Sequence, residues 1–142
     1  MKSIICENYK IFIGKNILRN VQLGSYKKIC LLTDKNQKNN ILDYFLKETK
    51  SEFDIIEIES SEINKNISSV LNIWNFLSQN NYNKNSLIIN LGGGVICDIG
   101  GFCASTFKRG VDFLNIPTTL LSMVDASIGG KNGINFLGFK NQ

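Results

Sequence analysis

A short, mostly apolar run, SLIINL (Ser86–Leu91), passes directly into three glycines and then into a helical pattern, VICDIGGFCAST. An apolar run that is bounded by glycine is typical of a strand buried on both faces. Strands of that kind belong to parallel sheets, whose neighbouring strands are joined by crossover helices. We therefore predict a parallel sheet flanked by helices.

Further strand-like runs alternate with helical patterns along the chain: KKICLLTD (27–34), FDIIEIE (53–59) and VDFLNIP (111–117). Near the N-terminus, KIFIGKNIL predicts a strand or one arm of a hairpin. Two helical patterns place apolar residues on one face, namely Ile41, Leu42, Phe45 and Leu46 in the first and Ile63, Ile67, Val70, Leu71, Trp74 and Leu77 in the second. This alternation predicts one Rossmann-like α/β domain over residues 1–142.

Composition and charge exclude several classes of protein. The chain has 142 residues, of which 43% are hydrophobic and 20% charged, as in globular rather than disordered proteins. The net charge of +4 arises from dispersed lysines, so we expect no nucleic-acid partner. We find no run suited to a signal peptide or a membrane span, and we expect a cytoplasmic protein without a membrane partner.

Two residue types bear on the available chemistry. The cysteines, Cys6, Cys30, Cys97 and Cys103, lie in apolar surroundings without a CxxC pair, which predicts buried thiols rather than disulfides or a metal site. The chain contains no histidine, the commonest general base and metal ligand. We predict no metal ligand among its residues.

The glycines after the first run are candidates for a ligand site, because ligands of parallel sheets bind beyond the carboxyl ends of the strands. Gly92, Gly93 and Gly94 allow the backbone to approach a pyrophosphate at a helix N-terminus. A tight strand-to-helix turn is an equal alternative, since the spacing is not GxGxxG. Asp98 either contacts the ligand or stabilises the helix dipole. The glycine pair Gly100–Gly101 predicts close packing on the sheet or on a ligand.

A second stretch, IPTTLLSMVDASIGGKNGIN, repeats this pattern. Thr118 and Thr119 follow a strand end, where they either cap a helix or bind a ligand. Asp125 has apolar sequence neighbours and is expected to need a partner. With the two glycine clusters, these charged residues favour an anionic-ligand site: Asp98, Arg109, Asp125, Lys131 and Lys140.

The stretch from Gly92 to Asn135 resembles, without gaps, the core signature of the 3-dehydroquinate synthases, approximately GGGVxGDxxGFxAxxxxRGxxxxxxPTTLLxxxDSSxGGKxxxN. Upstream, TDKN (33–36) and SEINK (61–65) resemble the family's T-D-x-N and G-E-x-x-K. The chain departs from the pattern in several places. Cys97, Ala126 and Ser61 replace a glycine, a serine and a glycine, and FLGF precedes Lys140 where the family has an H-P-L-G-type sequence.

The resemblance implies an NAD-dependent carbon–oxygen lyase of the shikimate route, with a phosphorylated sugar acid as its small-molecule partner. Its substrate would be 3-deoxy-D-arabino-heptulosonate 7-phosphate and its product 3-dehydroquinate. The family also uses a divalent metal, zinc or cobalt, whose glutamate and histidine ligands lie in a helical C-terminal domain outside this chain. The assembly would be a homodimer or a pairing with a separately encoded C-terminal half. Another sugar-phosphate cyclase and a non-catalytic NAD-binding relic remain alternatives.

The resemblance also assigns roles to individual residues. The implied NAD contacts are Asp34, Asn36, Glu62, Lys65, Gly92, Gly93, Gly94, Asp98, Thr118, Thr119 and Lys140. Positions that contact substrate or lie beside the nicotinamide, the predicted catalytic set, are Arg109, Asp125, Lys131 and Asn141. Lys131 is the best candidate for binding a phosphate or carboxylate. Glu62 and Lys65 are one helical turn apart, so we expect them to face the same ligand.

Overall fold

The computed structural model describes residues 1–35 and 41–142. Two antiparallel strands, β1 (Lys2–Ile5) and β2 (Lys10–Ile13), form an N-terminal hairpin with its own small sheet. A second sheet is parallel throughout and has the order β4-β3-β5-β6. Its strands are β3 (Ile29–Asp34), β4 (Asp54–Ile58), β5 (Leu87–Gly92) and β6 (Asp112–Pro117). The predicted parallel sheet is confirmed.

Three helices connect the strands of the parallel sheet: α1 (Ile41–Thr49), α2 (Ile67–Gln79) and α3 (Gly94–Thr106). A short helix, α4 (Leu120–Val124), follows the last strand. Three 3₁₀ turns lie at Ile17–Asn20, Glu62–Asn64 and Phe107–Arg109. The predicted apolar face of α2 is only partly right, because Ile63 and Leu71 are exposed while Ile73 is buried.

Side chains alternate across the sheet and pack into two cores. In β3, Cys30 and Leu32 face the core that contains α2 and α3, whereas Ile29 and Leu31 face the core that contains Phe45 of α1. Each fully buried leucine contributes roughly 2 kcal/mol of hydrophobic stabilisation. The sheet is therefore covered on both faces, as the largely apolar strands β3 and β5 require.

The strand order reverses between β3 and β5. From β3 the chain passes through α1 to β4 on one side, and from β4 it crosses through α2 to β5 on the other. Such a reversal leaves a crevice beyond the carboxyl ends of the two strands, which is where open α/β sheets bind ligands. The loops after Asp34 and Gly92 both begin at this crevice.

Helix α3 packs closely on the sheet because Gly100 has no side chain. A Cβ atom at Gly100 would lie 1.8 Å from Oδ1 of Asn90, which is fully buried. Nδ2 of Asn90 donates a 2.8 Å hydrogen bond to Oδ1 of Asn115 in the neighbouring strand. Of the packing partners predicted for the glycine pair, the sheet is confirmed for Gly100.

All four cysteines are free thiols, and Cys30, Cys97 and Cys103 are buried as predicted, while Cys6 is partly accessible. Burial raises the pKa of Cys30 and of Cys97 to about 12, so both thiols stay protonated near neutral pH. In residues 1–35 and 41–142, no helix combines the length and the apolar character needed to cross a membrane.

Candidate functional site

The glycine loop, Gly92–Gly94, and Thr118 lie together at the carboxyl edge of the parallel sheet. Gly92 pairs with Pro117 in the β5–β6 register, and the backbone N–H of Thr118 donates a 2.9 Å hydrogen bond to the carbonyl oxygen of Gly92. The strand ends predicted to carry ligand contacts therefore share one edge. Their roles toward a ligand remain predictions.

The N-terminus of α3 opens directly from the glycine loop. Gly93 occupies the N-cap position without a side-chain hydrogen bond, and the first turn of α3 carries no acidic residue. The leading N–H groups of a helix have no partner within the helix and carry the positive end of its dipole. This terminus can thus bind an anionic group through its backbone.

A second helix N-terminus lies beside the first. A Cβ atom at Gly93 would lie 3.4 Å from Cγ2 of Thr119, and one at Gly94 would lie 3.7 Å from the Cβ of Ala126. Thr119 caps α4, since its Oγ1 accepts a hydrogen bond from the backbone N–H of Ser122, in a reciprocal capping box. The capping alternative for Thr119 is therefore correct, and its hydroxyl lies close to the glycine loop.

Lys65 is the centre of a hydrogen-bonded cluster at the same edge. Its Nζ lies 2.5 Å from Oδ2 of Asp98 and 2.5 Å from Oδ1 of Asn141. Lys65 is only 4% exposed, so its ammonium is paired where water has little access. The cluster joins the 3₁₀ turn before α2, the second turn of α3 and the C-terminal segment, and it unites three of the predicted site residues.

The pKa of Asp98 is raised above its ordinary value, chiefly because burial disfavours the charged carboxylate. The hydrogen bond and the charge of Lys65 act in the opposite direction, while the negative charges of Asp125 and Glu62 raise the pKa further. Three carboxylates therefore share one electrostatic environment around a single buried lysine. This arrangement suits a polar, hydroxyl-bearing ligand that can donate to carboxylates.

Asn135 joins the cluster, and sequence reasoning did not select it. Its Nδ2 donates to Oε1 of Glu62 at 2.9 Å, and its Oδ1 accepts from the backbone N–H of Asn141 at 3.2 Å. Its backbone N–H donates to the carbonyl oxygen of Lys65 at 2.7 Å. The final N of the GGKxxxN pattern was the available signal. Asn135 positions both Glu62 and Asn141.

Asp34 lies at the end of β3, where its carboxylate accepts hydrogen bonds from the backbone N–H and the hydroxyl of Ser60. This contact ties the carboxyl ends of β3 and β4 together beside the crevice. Asn36, the other residue predicted in this loop, lies outside the described residues.

Asp125 and Lys131 are both exposed on the segment after α4. The expected apolar surroundings of Asp125 are wrong, because its neighbours Met123 and Val124 are themselves exposed. The carboxylate is solvated and needs no buried partner. Asp125 still lies near the cluster, since its charge raises the pKa of Asp98.

Two other predicted residues lie apart from the buried cluster. Arg109 ends the 3₁₀ turn between α3 and β6, which is at the amino edge of the sheet. Because the 13 residues of α3 span roughly 20 Å, Arg109 is separated from the glycine loop by the length of that helix. Lys140 is exposed on the C-terminal segment beside Asn141. Arg109 is not brought together with the other site residues within this chain.

A metal site would need at least three suitable side chains that converge. In the part of the chain that the structure describes, no group of three or more His, Cys, Asp and Glu residues is placed to hold a metal ion. We assign no metal ligand to these residues.

Residues 55–142 match the family model described as 3-dehydroquinate synthase N-terminal. The chain belongs to the 3-dehydroquinate synthase family. It is 44% identical over 142 residues to the 3-dehydroquinate synthase of Pelagibacter ubique, an alignment that covers 95% of this chain and 39% of that protein. The chain spans about two fifths of the length of the curated 3-dehydroquinate synthases it matches.

Solved structures show the same fold. A 2-deoxy-scyllo-inosose synthase complexed with carbaglucose-6-phosphate, NAD+ and Co2+ superposes with a TM-score of 0.87 at 21% identity, covering 99% of this chain and 41% of that one. The 2-epi-5-epi-valiolone synthase of Streptomyces hygroscopicus subsp. jinggangensis, with NAD+ and Zn2+ bound, gives 0.78 at 26% identity, covering 100% and 41%. The Rossmann-like fold is that of the N-terminal part of these enzymes.

Proposed function

We propose that this chain forms the NAD-binding half of a cytoplasmic 3-dehydroquinate synthase. The reaction would eliminate phosphate from 3-deoxy-D-arabino-heptulosonate 7-phosphate and close the product to 3-dehydroquinate. The observation that supports it best is the N-terminus of α3, which has no side-chain cap and opens from the glycine loop at the crevice where the strand order reverses. The 44% identity to a named 3-dehydroquinate synthase supports this choice of substrate.

The residues at this edge fit NAD. The glycine loop leaves room at the helix N-terminus for a pyrophosphate, whose charge the exposed N–H groups favour. Ribose hydroxyls can donate hydrogen bonds to the carboxylates of Glu62 and Asp98 and can accept one from the ammonium of Lys65. When bound, NAD supplies a reversible hydride acceptor for an alcohol of the sugar.

The substrate would lie on the exposed side of the cluster. Lys131 offers a cation for a phosphate or carboxylate, and Asp125 and Asn141 lie on the neighbouring segments. Asn141 already accepts a hydrogen bond from Lys65, so its amide nitrogen is turned away from that lysine and can donate to a ligand. We keep Arg109 as a predicted substrate contact, although it lies at the amino edge in this chain. The homodimer and the separately encoded C-terminal half remain predictions.

The divalent metal of the family does not fit these residues, because the described chain holds no suitable group of ligands and the sequence has no histidine. We expect the 142-residue chain alone to bind NAD without sustained phosphate release, even with added zinc or cobalt. Sustained metal-dependent release by this chain would contradict the proposed division of roles.

A glycine substitution tests the NAD site directly. In Gly93→Ala the new Cβ meets Thr119 at an ordinary contact distance of 3.4 Å, so the fold should be kept while the methyl group crowds the pyrophosphate. Isothermal titration should show NAD binding by the natural chain and at least about tenfold weaker binding by Gly93→Ala. Gly24→Ala is the matched control, because a Cβ there meets nothing within 4 Å. Equal NAD affinity in all three proteins would refute the glycine-loop site.

The two solved synthases favour a second candidate, another NAD-dependent sugar-phosphate cyclase. Two ligands that bind at one site change each other's affinity. The two candidate functions therefore differ in which sugar phosphate should change the affinity of the chain for NAD. We expect 3-deoxy-D-arabino-heptulosonate 7-phosphate to change the affinity for NAD and glucose 6-phosphate to leave it unchanged. The reverse result would favour the second candidate, and no coupling to either sugar phosphate would favour a non-catalytic NAD-binding module.

A further inference from the structure

The loop that carries Lys131 is held by a residue from the opposite end of the chain. The backbone N–H of Gly129 donates a 3.0 Å hydrogen bond to the phenol oxygen of Tyr9, 120 residues away. Tyr9 lies in the turn between β1 and β2, where its carbonyl oxygen accepts from the backbone N–H of Cys6 at 2.9 Å. The N-terminal hairpin is thereby connected to the glycine–lysine loop.

A second contact holds the other side of this loop. The amide of Asn132 lies against α3 where Gly101 has no side chain, and a Cβ atom there would lie only 1.9 Å from Oδ1 of Asn132. Nδ2 of Asn132 donates a 3.1 Å hydrogen bond back to the carbonyl oxygen of Gly130. The missing side chain at Gly101 therefore leaves space for the amide of Asn132, and this packing holds the loop against α3.

Between these two contacts the loop has little packing of its own. Gly129 and Gly130 have φ values of +84° and +68°, and a Cβ atom at either would meet nothing within 4 Å. Lys131 follows directly and is exposed. The position of its backbone therefore depends on Tyr9 and Asn132 rather than on burial of the loop.

We propose that Tyr9 and Asn132 are positioning residues, which hold the Gly129–Lys131 loop so that Lys131 meets the phosphate or carboxylate of an anionic ligand. The proposal rests on the proposed function, in which Lys131 binds that group. Fixing the loop before binding lowers the conformational entropy lost on binding, which strengthens the affinity without adding a contact. Neither residue touches the ligand.

Tyr9→Phe is the sharpest test, because it removes the accepting oxygen and keeps the ring. The control is Tyr44→Phe, the same change at an exposed tyrosine of α1. In the 142-residue chain, the heteronuclear ¹⁵N NOE of the Gly129 and Gly130 amides should fall in Tyr9→Phe and stay unchanged in Tyr44→Phe. Asn132→Ala should lower the same NOE values from the other side of the loop.

Ligand titrations separate positioning from general loss of structure. With inorganic phosphate as the probe, Tyr9→Phe and Asn132→Ala should each weaken binding by roughly fivefold, the loss expected from ordering one mobile segment. Affinity for NAD should be unchanged, whereas a variant that merely loses its fold would lose both ligands. Lys131→Met should abolish phosphate binding while leaving the loop NOE values as they are, because Lys131 is the contact and not the support.

The outcomes distinguish this inference from the proposed function. If the natural chain binds phosphate and Tyr9→Phe binds it equally well, or keeps an equally ordered loop, the positioning role is overturned while the proposed function stands. If phosphate does not change the backbone amide chemical shift of Lys131 in the natural chain, the proposed substrate contact of Lys131 is wrong, and the positioning role fails with it. An ordered loop in the natural chain, a mobile loop in Tyr9→Phe and a matching loss of phosphate affinity together support the inference.

Discussion

The ammonium of Lys65 lies 2.5 Å from a carboxylate oxygen of Asp98, and this contact joins the end of the 3₁₀ turn before α2 to the second turn of α3. The lysine is almost inaccessible, and the side chain of Asp98 is 20% exposed. The two charges therefore stabilise one another where water screens them poorly. The same cluster also receives the amide of Asn141, so the C-terminal segment depends on it.

We predict that Lys65→Met destabilises the chain. Removing one partner of a buried ion pair leaves the other charge without compensation, which typically costs about 3 kcal/mol. Urea unfolding measures the loss, and Asp98→Leu in the Lys65→Met background should recover part of it because the uncompensated carboxylate is then gone. Additive losses in the double variant would show that the two side chains do not interact in solution.

The pKa of Asp98 should also respond to its neighbours. Burial raises this pKa above its ordinary value of 3.8, so the native state holds the proton more tightly than the unfolded chain. The contribution of Asp98 to the free energy of unfolding therefore falls as the pH rises from 3.8 through the raised value. The difference in that free energy between the natural chain and Asp98→Asn, measured against pH, should show this slope.

Carboxyl ¹³C chemical shifts give the same titration site by site. Lys65→Met should move the midpoint of Asp98 further upward, because Lys65 is the group that lowers it. Asp125→Asn should move the midpoint downward, because the charge of Asp125 raises it. A titration midpoint of Asp98 that is unchanged by both substitutions would mean that neither Lys65 nor Asp125 interacts with its carboxylate.

Much of the sheet and of the glycine loop could be predicted because their signals are local. The run at Ser86–Leu91 is mostly apolar because all six residues of β5 are buried, and the glycines that follow it mark the passage from that strand into α3. The shared edge of Gly92 and Thr118 then follows from parallel pairing alone.

Other features depend on contacts between distant residues and leave no local pattern. The sequence around Tyr9 gives no sign of a special role, because its partner Gly129 is 120 residues away and reaches the phenol oxygen only in the folded chain. Asp125 has apolar neighbours in sequence, but the end of α4 leaves Met123 and Val124 exposed to solvent, which periodicity over five residues cannot show. Arg109 fits the family pattern while the fold places it at the far end of α3.

The exposed apolar face of α4 should cause the chain to self-associate. Leu120, Leu121 and Val124 are 78%, 71% and 65% exposed, and contiguous apolar surface of this kind promotes association. Sedimentation velocity at increasing concentration should show association that Leu121→Lys/Val124→Lys reduces, with the melting temperature unchanged because neither side chain is buried.

The matched control for added charge is Asn72→Lys/Asn75→Lys, which adds two lysines on the exposed side of α2. Equal reduction of association by both pairs would assign the effect to net charge and not to the α4 face.

The two glycines inside α3 should differ sharply when each is changed to alanine. Alanine favours a helix interior by about 1 kcal/mol over glycine, so local propensity alone predicts stabilisation at both positions. At Gly100, however, the new Cβ would lie 1.8 Å from Oδ1 of Asn90, which is fully buried and hydrogen-bonded to Asn115. Overpacking of this kind outweighs helix propensity, and we expect the free energy of unfolding in urea to fall by about 2 kcal/mol.

At Gly101 the obstructing atom belongs to Asn132, on a surface loop that can move, so Gly101→Ala should cost less stability while displacing that loop. Asn90→Ala should restore part of the stability of Gly100→Ala and none of that of Gly101→Ala. Equal losses at the two glycines would mean that α3 moves away from the sheet as a unit, and that the Asn90 contact does not set the packing distance.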